Sequence, residues 1–389
     1  MGVYLDNNAT TRPEPAVVEA MVGMLRDSWG NPSSGHRVGQ AARQRLELAR
    51  QSVARLINAV PAEIVLTSGS TESINLGIRG VLAALWREHP TRRTIITSPI
   101  EHEAVRDLCK SLVEEADATL RVLPLREGGV VDADALPSML DDSVGIVTIQ
   151  WANNETGVIH PLERIGALCR ERGVPLHTDA TQLIGKRSVD VRAMPVDLLS
   201  LSAHKFYGPK GAGALYARRG VRFRPIMHGA QERERRGGTE NTAGIVGMGV
   251  AADLALAWLA SPGAVERGAR LRDRFEQHVL KAIPSARVNG AADRLWNTSN
   301  IGFPTLEAEA LLLLLSERGV CASAGAACSS GSLDPSPVLM AMGVPPEYAH
   351  GSVRFSLGRE TTESDVDEAA EILIECVARL QQSGVARSS

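Results

Sequence analysis

The 389 residues of this chain predict an α/β protein, with a large domain on a mostly parallel sheet and a smaller α+β domain. Three observations carry that prediction. Short apolar runs alternate with helical patterns through the first two thirds, the pattern of βα units. A linker, Ala260-Ser-Pro-Gly263, is followed by a new set of helices and strands. The length suits one large domain plus a smaller one.

The elements follow in order. Tyr4-Leu-Asp-Asn-Asn-Ala-Thr-Thr11 is too polar for a core strand and is expected to pack across to the small domain. Ile64 to Thr67 reads as a strand, followed by a Gly-Ser turn and a helix from Glu72 to Leu82. Arg93 to Thr97 precedes a helix from Ala104 to Glu115. Ser143 to Gln150 precedes a helix from Pro161 to Arg172, and Val174 to Thr178 follows. Val196 to Ser202 is a buried strand, and Leu215 to Arg218 is a returning strand after the turns at Gly208 to Gly213. Beyond the linker come an Arg/Glu-rich helix from Ala264 to Ala282, further strands, a Gly/Ala/Ser-rich loop near residue 328 and a last amphipathic helix. Residues 15–260 are thus expected to form the large domain, and 1–14 with 261–389 the small one. Ser383 to Ser389 read as frayed.

Bulk properties remove several functions. A formal charge of −3 gives no general pull toward nucleic acid or an anionic membrane. The longest apolar stretch, Ala310 to Leu315, is too short to cross a bilayer and reads as a buried helix or strand. The cysteines, Cys109, Cys169, Cys321, Cys328 and Cys376, are odd in number and widely spread, and no secretory leader is read. Reduced thiols in the cytoplasm are expected. Cys321 and Cys328 lack zinc spacing, and no intrinsic metal is expected.

The residues able to carry chemistry cluster after the strands. Lys205, in Ser202-Ala-His-Lys-Phe-Tyr-Gly-Pro-Lys-Gly211, sits just past a strand, where a partly desolvated amine can attack a carbonyl. Asp179 ends another strand and can keep a pyridine nitrogen protonated, or simply cap the next segment. Thr67-Ser-Gly-Ser-Thr-Glu72 can cradle a phosphate with Ser70 and Thr71, or serve as an ordinary helix cap. His102 can stack on a flat cofactor or shuttle protons, or be structural. Asn153 to Gly157 is a loop of amide groups, or a plain turn. Cys328 lies among small residues where a thiol can be delivered to a substrate, or is an ordinary loop cysteine. Arg354 alternates with apolar neighbours and needs an anion, either a substrate carboxylate or a salt-bridge partner. Arg218 to Arg236 reads as solvated surface. Thr239 could add a hydroxyl to a phosphate site.

Taken together these segments resemble a NifS/IscS-type cysteine desulfurase of the class V aminotransferase superfamily. The resemblance rests on Tyr4–Thr11, Gly30-Asn-Pro-Ser-Ser34 with His36, Thr67–Glu72, Glu101-His102, Asn153–Gly157, Asp179-Ala-Thr-Gln182, His204-Lys205 and Ser352-Val-Arg-Phe-Ser-Leu357. Trp151 to Gly157, Arg218 to Pro225 and Gly331 to Ser336 are closer to the NifS branch.

The resemblance implies fold type I of the pyridoxal 5′-phosphate (PLP) enzymes, and conversion of L-cysteine to L-alanine. Lys205 would form the Schiff base with PLP and move protons. Asp179 would pair with the ring nitrogen, Gln182 with the phenolic oxygen, and His102 would stack on the ring. Ser70, Thr71, Ser202 and His204 would hold the phosphate, with Thr239 reaching in from the neighbouring subunit of a homodimer. Asn154 and Arg354 would hold the substrate carboxylate. Cys328 would take the sulfur as a persulfide and pass it to an iron–sulfur scaffold of the NifU/IscU type, where it could touch a nascent cluster. Ala324 and Ala326 make the cysteine loop less hydroxylated than in the family, His228-Gly-Ala-Gln231 breaks a glycine run, and Ala203 replaces a common glycine. The chain also ends soon after its final helix, without the longer tail some relatives use to reach a scaffold. A selenocysteine lyase and a non-catalytic binding platform are the competing readings.

Overall fold

Short apolar runs become strands buried on both faces, because helices cover each side of the sheet they form. The computed structural model describes residues 2–291, 293–324 and 334–382. After a first short strand, β1 (Val3–Tyr4), the chain lays down β2 (Ile64–Thr67), β3 (Thr94–Thr97), β4 (Thr119–Val122), β5 (Val144–Thr148), β6 (Leu176–Asp179), β7 (Leu198–Ser202) and β8 (Gly213–Ala217). The last seven make one sheet in the spatial order β2-β8-β7-β6-β5-β3-β4. The pairs from β4 across to β7 are parallel, and β8 runs antiparallel to both β7 and β2. β2 therefore points the same way as β3 to β7, and their carboxyl ends open on one edge.

Alternation along the strands assigns side chains to two layers. Val65, Ile95, Ile146, Leu198 and Leu215 pack with Ile74, Leu82, Val105 and Leu108 of helices Ser70–Glu88 and Glu103–Ala116. Leu66, Ile96, Val147, Leu199, Leu201 and Ala214 join a second layer with Val53, Ile165 and Met248. Helix Thr242–Ala260 is long and apolar enough to cross a membrane by length and composition. Here it packs against Pro15–Asp27 and Arg37–Leu56, with Ile245, Met248, Ala251, Ala252 and Ala255 buried.

Three further strands, β9 (Arg287–Val288), β10 (Thr298–Gly302) and β12 (Ser352–Ser356), form an antiparallel sheet with β10 central, while β11 (Val320–Cys321) pairs in parallel with β1. A separate apolar cluster lies here, including Phe275, Val279, Leu311, Phe355, Leu373 and Val377. Val3 and Leu5 belong to it, β1 pairs with β11 and Asp6 bridges to Ser356 of β12, so the N-terminal segment lies against these strands.

Two sequence expectations change. The run Ala310 to Leu315 lies in a helix, Ala308–Glu317, that buries Leu311 and Leu315 but leaves Leu313 69% exposed. The arginine-rich stretch is not uniformly solvated. Glu232 within it is buried and takes two hydrogen bonds from Arg50 and one from the Leu66 amide, and Arg236 reaches back to Glu72 at 2.7 Å.

Candidate active site

The shared carboxyl edge gathers the candidates. β2 leads through Gly69 into helix Ser70–Glu88, whose first-turn amides have no partner within the helix. Thr67 and Ser73 bond each other at 2.8 Å, and Glu72 takes the Ser68 amide and the Arg236 guanidinium. That leaves Ser70 and Thr71 heading the helix. Ser202, 3% exposed at the end of β7, lies against them, since a Cβ on Gly69 would sit 3.6 Å from its Oγ. Gly213 makes this approach possible, because a Cβ there would come within 2.6 Å of Gly69 Cα. The result is a narrow cradle of hydroxyls and amides at a helix N-terminus, suited to a phosphate.

Beyond Ser202 the chain turns through Ala203–Lys205. Lys205 Nζ donates to the Asn8 and Ala9 carbonyls at 2.6 and 2.8 Å. His204 Nδ1 lies 3.2 Å from Thr10 Oγ1, and burial with the nearby Lys205, Lys210 and Lys186 lowers its pKa to about 4. It is neutral at pH 7.

Asp179 ends β6 and is 7% exposed. It accepts from the amide and the hydroxyl of Thr181, the cap-like contact that competed with a cofactor role in the sequence. Those bonds use one carboxylate oxygen and leave the other. Glu101 lies close enough for their charges to interact. Burial pushes Glu101 up to about 8 against hydrogen bonds from Ser98 and the Gln150 amide, and the charge of Asp179 adds to the rise. Glu101 is therefore protonated at neutral pH. His102 caps helix Glu103–Ala116, its Nδ1 accepting from the Ala104 amide at 3.1 Å. With Nδ1 accepting, Nε2 is the ring nitrogen left to donate.

Arg354, 2% exposed on β12, donates to Asp6 Oδ1 at 2.7 Å and to the Asn154 carbonyl at 3.2 Å, and its Nε is buried with no hydrogen-bond partner among the described residues. The Asn153–Gly157 loop is more than a plain turn. Asn153 Oδ1 takes the Glu155 and Thr156 amides, and Gly157 holds φ +76° where a Cβ would meet Thr298 at 2.7 Å. Glu155, 3% exposed, accepts from Ser336 at 2.6 Å. Ser323 in turn exchanges two backbone hydrogen bonds with Arg354. Cys328 lies outside the described residues, but Ser323 and Ser336 to either side of it are both tied to this corner.

Thr239, by contrast, is exposed. The other thiols are accounted for: Cys109, Cys169 and Cys376 are buried and Cys321 exposed, and burial pushes Cys109 and Cys169 up to about 12.

The sequence reading missed the residue that joins these pieces. Asn8, fully buried, accepts at Oδ1 from Lys186 and Asn297, each at 3.0 Å. It donates from Nδ2 to Thr298 and the Asn154 carbonyl. Its own carbonyl accepts from Lys205 and from Gln182 at 3.0 Å. Lys186 was also missed, although a lysine four residues past Gln182 in the otherwise apolar Leu183-Ile184-Gly185 run was a visible signal.

The residues present fit PLP: a phosphate cradle at Gly69–Thr71 with Ser202, an amine at Lys205, a carboxylate at Asp179 and an amide donor at Gln182. Arg354, with a buried N–H still unanswered, fits a substrate carboxylate.

The pattern of the family described as "Aminotransferase class-V" matches residues 3–369. A "Cysteine desulfurase" of a Nostoc species is 49% identical over 381 residues, spanning 97% of this chain and 94% of that protein. The "Cysteine desulfurase NifS" of Azotobacter vinelandii is 45% identical over 382 residues, spanning 97% and 93%. A solved structure titled "NIFS-LIKE PROTEIN" superposes with a TM-score of 0.90 at 36% identity, covering 98% of this chain and all of that one.

Proposed function

The chain belongs to the class-V aminotransferase family, and on that premise we propose that it is a PLP-dependent cysteine desulfurase that turns L-cysteine into L-alanine and stores the sulfur on Cys328. The observation that carries the reading is the convergence on Asn8 of Lys205, Gln182 and the Asn154 loop that Arg354 grips. Amine, cofactor-facing amide and substrate clamp are thereby held in one frame.

When bound, PLP draws electrons from the α-carbon of the amino acid, so that the α-proton and then the Cβ–S bond can be lost. Arg354 and the Asn154 side chain hold the substrate carboxylate and fix which bond faces Lys205. Lys205 takes the α-proton and returns it. Asp179 keeps the ring nitrogen protonated. His102 would lie against the ring. Cys328 attacks as the thiolate, because the neutral thiol is a poor nucleophile. Its sulfur bonds to the substrate sulfur as the Cβ–S bond breaks, the electron pair stays with Cβ, and protonation there gives alanine. In sum, L-cysteine and the Cys328 thiol become L-alanine and the Cys328 persulfide. The ties of Ser323 to Arg354 and of Ser336 to Glu155 support this role for Cys328.

The finer parts of the reading follow from the same resemblance. The protein acts in the cytoplasm as a homodimer, in which Thr239 reaches the neighbouring subunit's phosphate site. Residues 15–260 form the PLP-binding domain, and 1–14 with 261–389 the smaller one that carries Cys328. The persulfide sulfur goes to an iron–sulfur scaffold of the NifU/IscU type, and the similarity to the NifS protein of A. vinelandii supports a nitrogenase-related supply. The test is direct: purified protein with PLP and L-cysteine should release alanine and, with a thiol reductant, sulfide in equal amounts. Alanine without sulfide, or neither product, would overturn the reading.

A further inference from the structure

Gln182 needs its amide turned one way to donate to PLP, and nothing in its own backbone turn sets that direction. Its Oε1 accepts from Lys186 Nζ at 2.7 Å, while its Nε2 donates to the Asn8 carbonyl at 3.0 Å. The same carbonyl accepts from Lys205 Nζ at 2.6 Å. The Lys205 nitrogen and the phenolic oxygen are neighbours when the cofactor is bound. A donor to that oxygen must therefore stand beside Lys205, and the shared Asn8 carbonyl puts the Gln182 amide nitrogen there. An amide nitrogen has two N–H groups, so one remains for the cofactor.

We propose that Lys186 is a positioning residue: its amine locks the Gln182 amide so that the NH₂ group, not the oxygen, faces the phenolic oxygen. Lys186 is 5% exposed. Besides Gln182 its amine donates to Asn8 Oδ1 at 3.0 Å. Burial, with Lys205, Arg354 and Arg359 nearby, holds its pKa well below the usual lysine range. The amine meets two acceptors here, Gln182 Oε1 and Asn8 Oδ1. The other titratable groups around it are His204, whose pKa Lys186 helps to lower, and Asp6, which pairs with Arg354. Without the amine, Gln182 Oε1 loses its donor in a buried setting and can regain one only by rotating away.

The inference rests on the PLP reading, and the experiment separates the two. Cofactor-free wild type, Lys186→Met, Gln182→Ala and the double variant are titrated with PLP, and the pH midpoint of the visible absorbance band is measured for each. A hydrogen bond to the phenolic oxygen stabilises its negative charge. Without that bond the neighbouring proton is held more tightly, so the midpoint rises. Lys186→Met should raise it by about one pH unit, a tenfold change, and weaken PLP binding about tenfold. Gln182→Ala should give a similar rise, and the double variant no more than Gln182→Ala alone. If Lys186→Met leaves the midpoint unchanged, the inference fails. If its effect persists in the Gln182→Ala background, Lys186 acts by charge alone and the positioning role also fails. Should Lys186→Met not fold, Lys186→Gln takes its place under the same requirement: a smaller rise alone, and none on top of Gln182→Ala. Absence of any visible band in wild type would instead sink the PLP reading, and this inference with it.

Discussion

Replacing His177 with glutamine should flatten the acid side of the stability curve by about 2.5 kcal/mol between pH 7 and pH 4.5. The side chain is fully buried in β6, with Nδ1 2.8 Å from Thr148 Oγ1 on β5 and Nε2 2.9 Å from Ser200 Oγ on β7. Burial lowers its pKa from 6.5 to about 4, only partly offset by the charge of Asp179. The folded protein therefore refuses a proton that the unfolded chain accepts below pH 6.5. The associated stability is intact above 6.5 and is lost as the pH falls toward 4. At pH 4.5 two pH units have been crossed, at about 1.36 kcal/mol each, and partial protonation of the folded state trims the loss to roughly 2.5 kcal/mol. Equilibrium urea unfolding of the cofactor-free protein at both pH values measures it, and the remaining titrations cancel between wild type and variant. A variant that loses as much stability on acidification as wild type would refute the reasoning.

Other outcomes follow from the same geometry. Cys328→Ala should keep the cofactor's absorbance while losing persulfide and sulfide, measured by mass spectrometry and a sulfide assay. Normal desulfuration by the variant would remove Cys328 from the reaction. Arg354→Lys replaces a two-pronged donor by a point charge, so the KM for L-cysteine should rise about 10- to 100-fold while PLP binding holds, as steady-state kinetics would show. Gly213→Ala puts a Cβ 2.6 Å from Gly69 Cα. Thermal unfolding should then report a loss of about 1–3 kcal/mol, and PLP should bind more weakly because the phosphate cradle is displaced.

Much of the architecture was legible because it is local. Apolar runs such as Ile64 to Thr67 and Val144 to Thr148 are strands whose ends carry polar residues, and parallel pairing brings those ends together. Asp179 and Lys205 could be marked on that basis, and the family resemblance added Gln182 and His204. Asn8 could not. Its partners Asn154, Gln182, Lys186, Lys205, Asn297 and Thr298 are spread over most of the chain, and bonds across such distances leave no period in the sequence. The polarity of Tyr4 to Thr11 argued against a core strand, but did not show that Asn7 and Asn8 would be buried. Glu232 was hidden for a related reason. Among arginines it reads as surface, and only the fold supplies Arg50 and the Leu66 amide. The apolar Thr242–Ala260 run is covered on several sides, so it lacks the one-sided pattern that marks an amphipathic helix.

The central claim is that this chain moves sulfur from L-cysteine to Cys328. PLP-loaded protein is mixed with a limiting amount of L-cysteine, with neither reductant nor acceptor, then quenched and digested, and each cysteine-containing peptide is weighed. One added sulfur atom on the Cys328 peptide, matched by one alanine, is the expected result. Alanine formed with Cys328 unmodified, or sulfur carried by Cys109, Cys169, Cys321 or Cys376 instead, would contradict it.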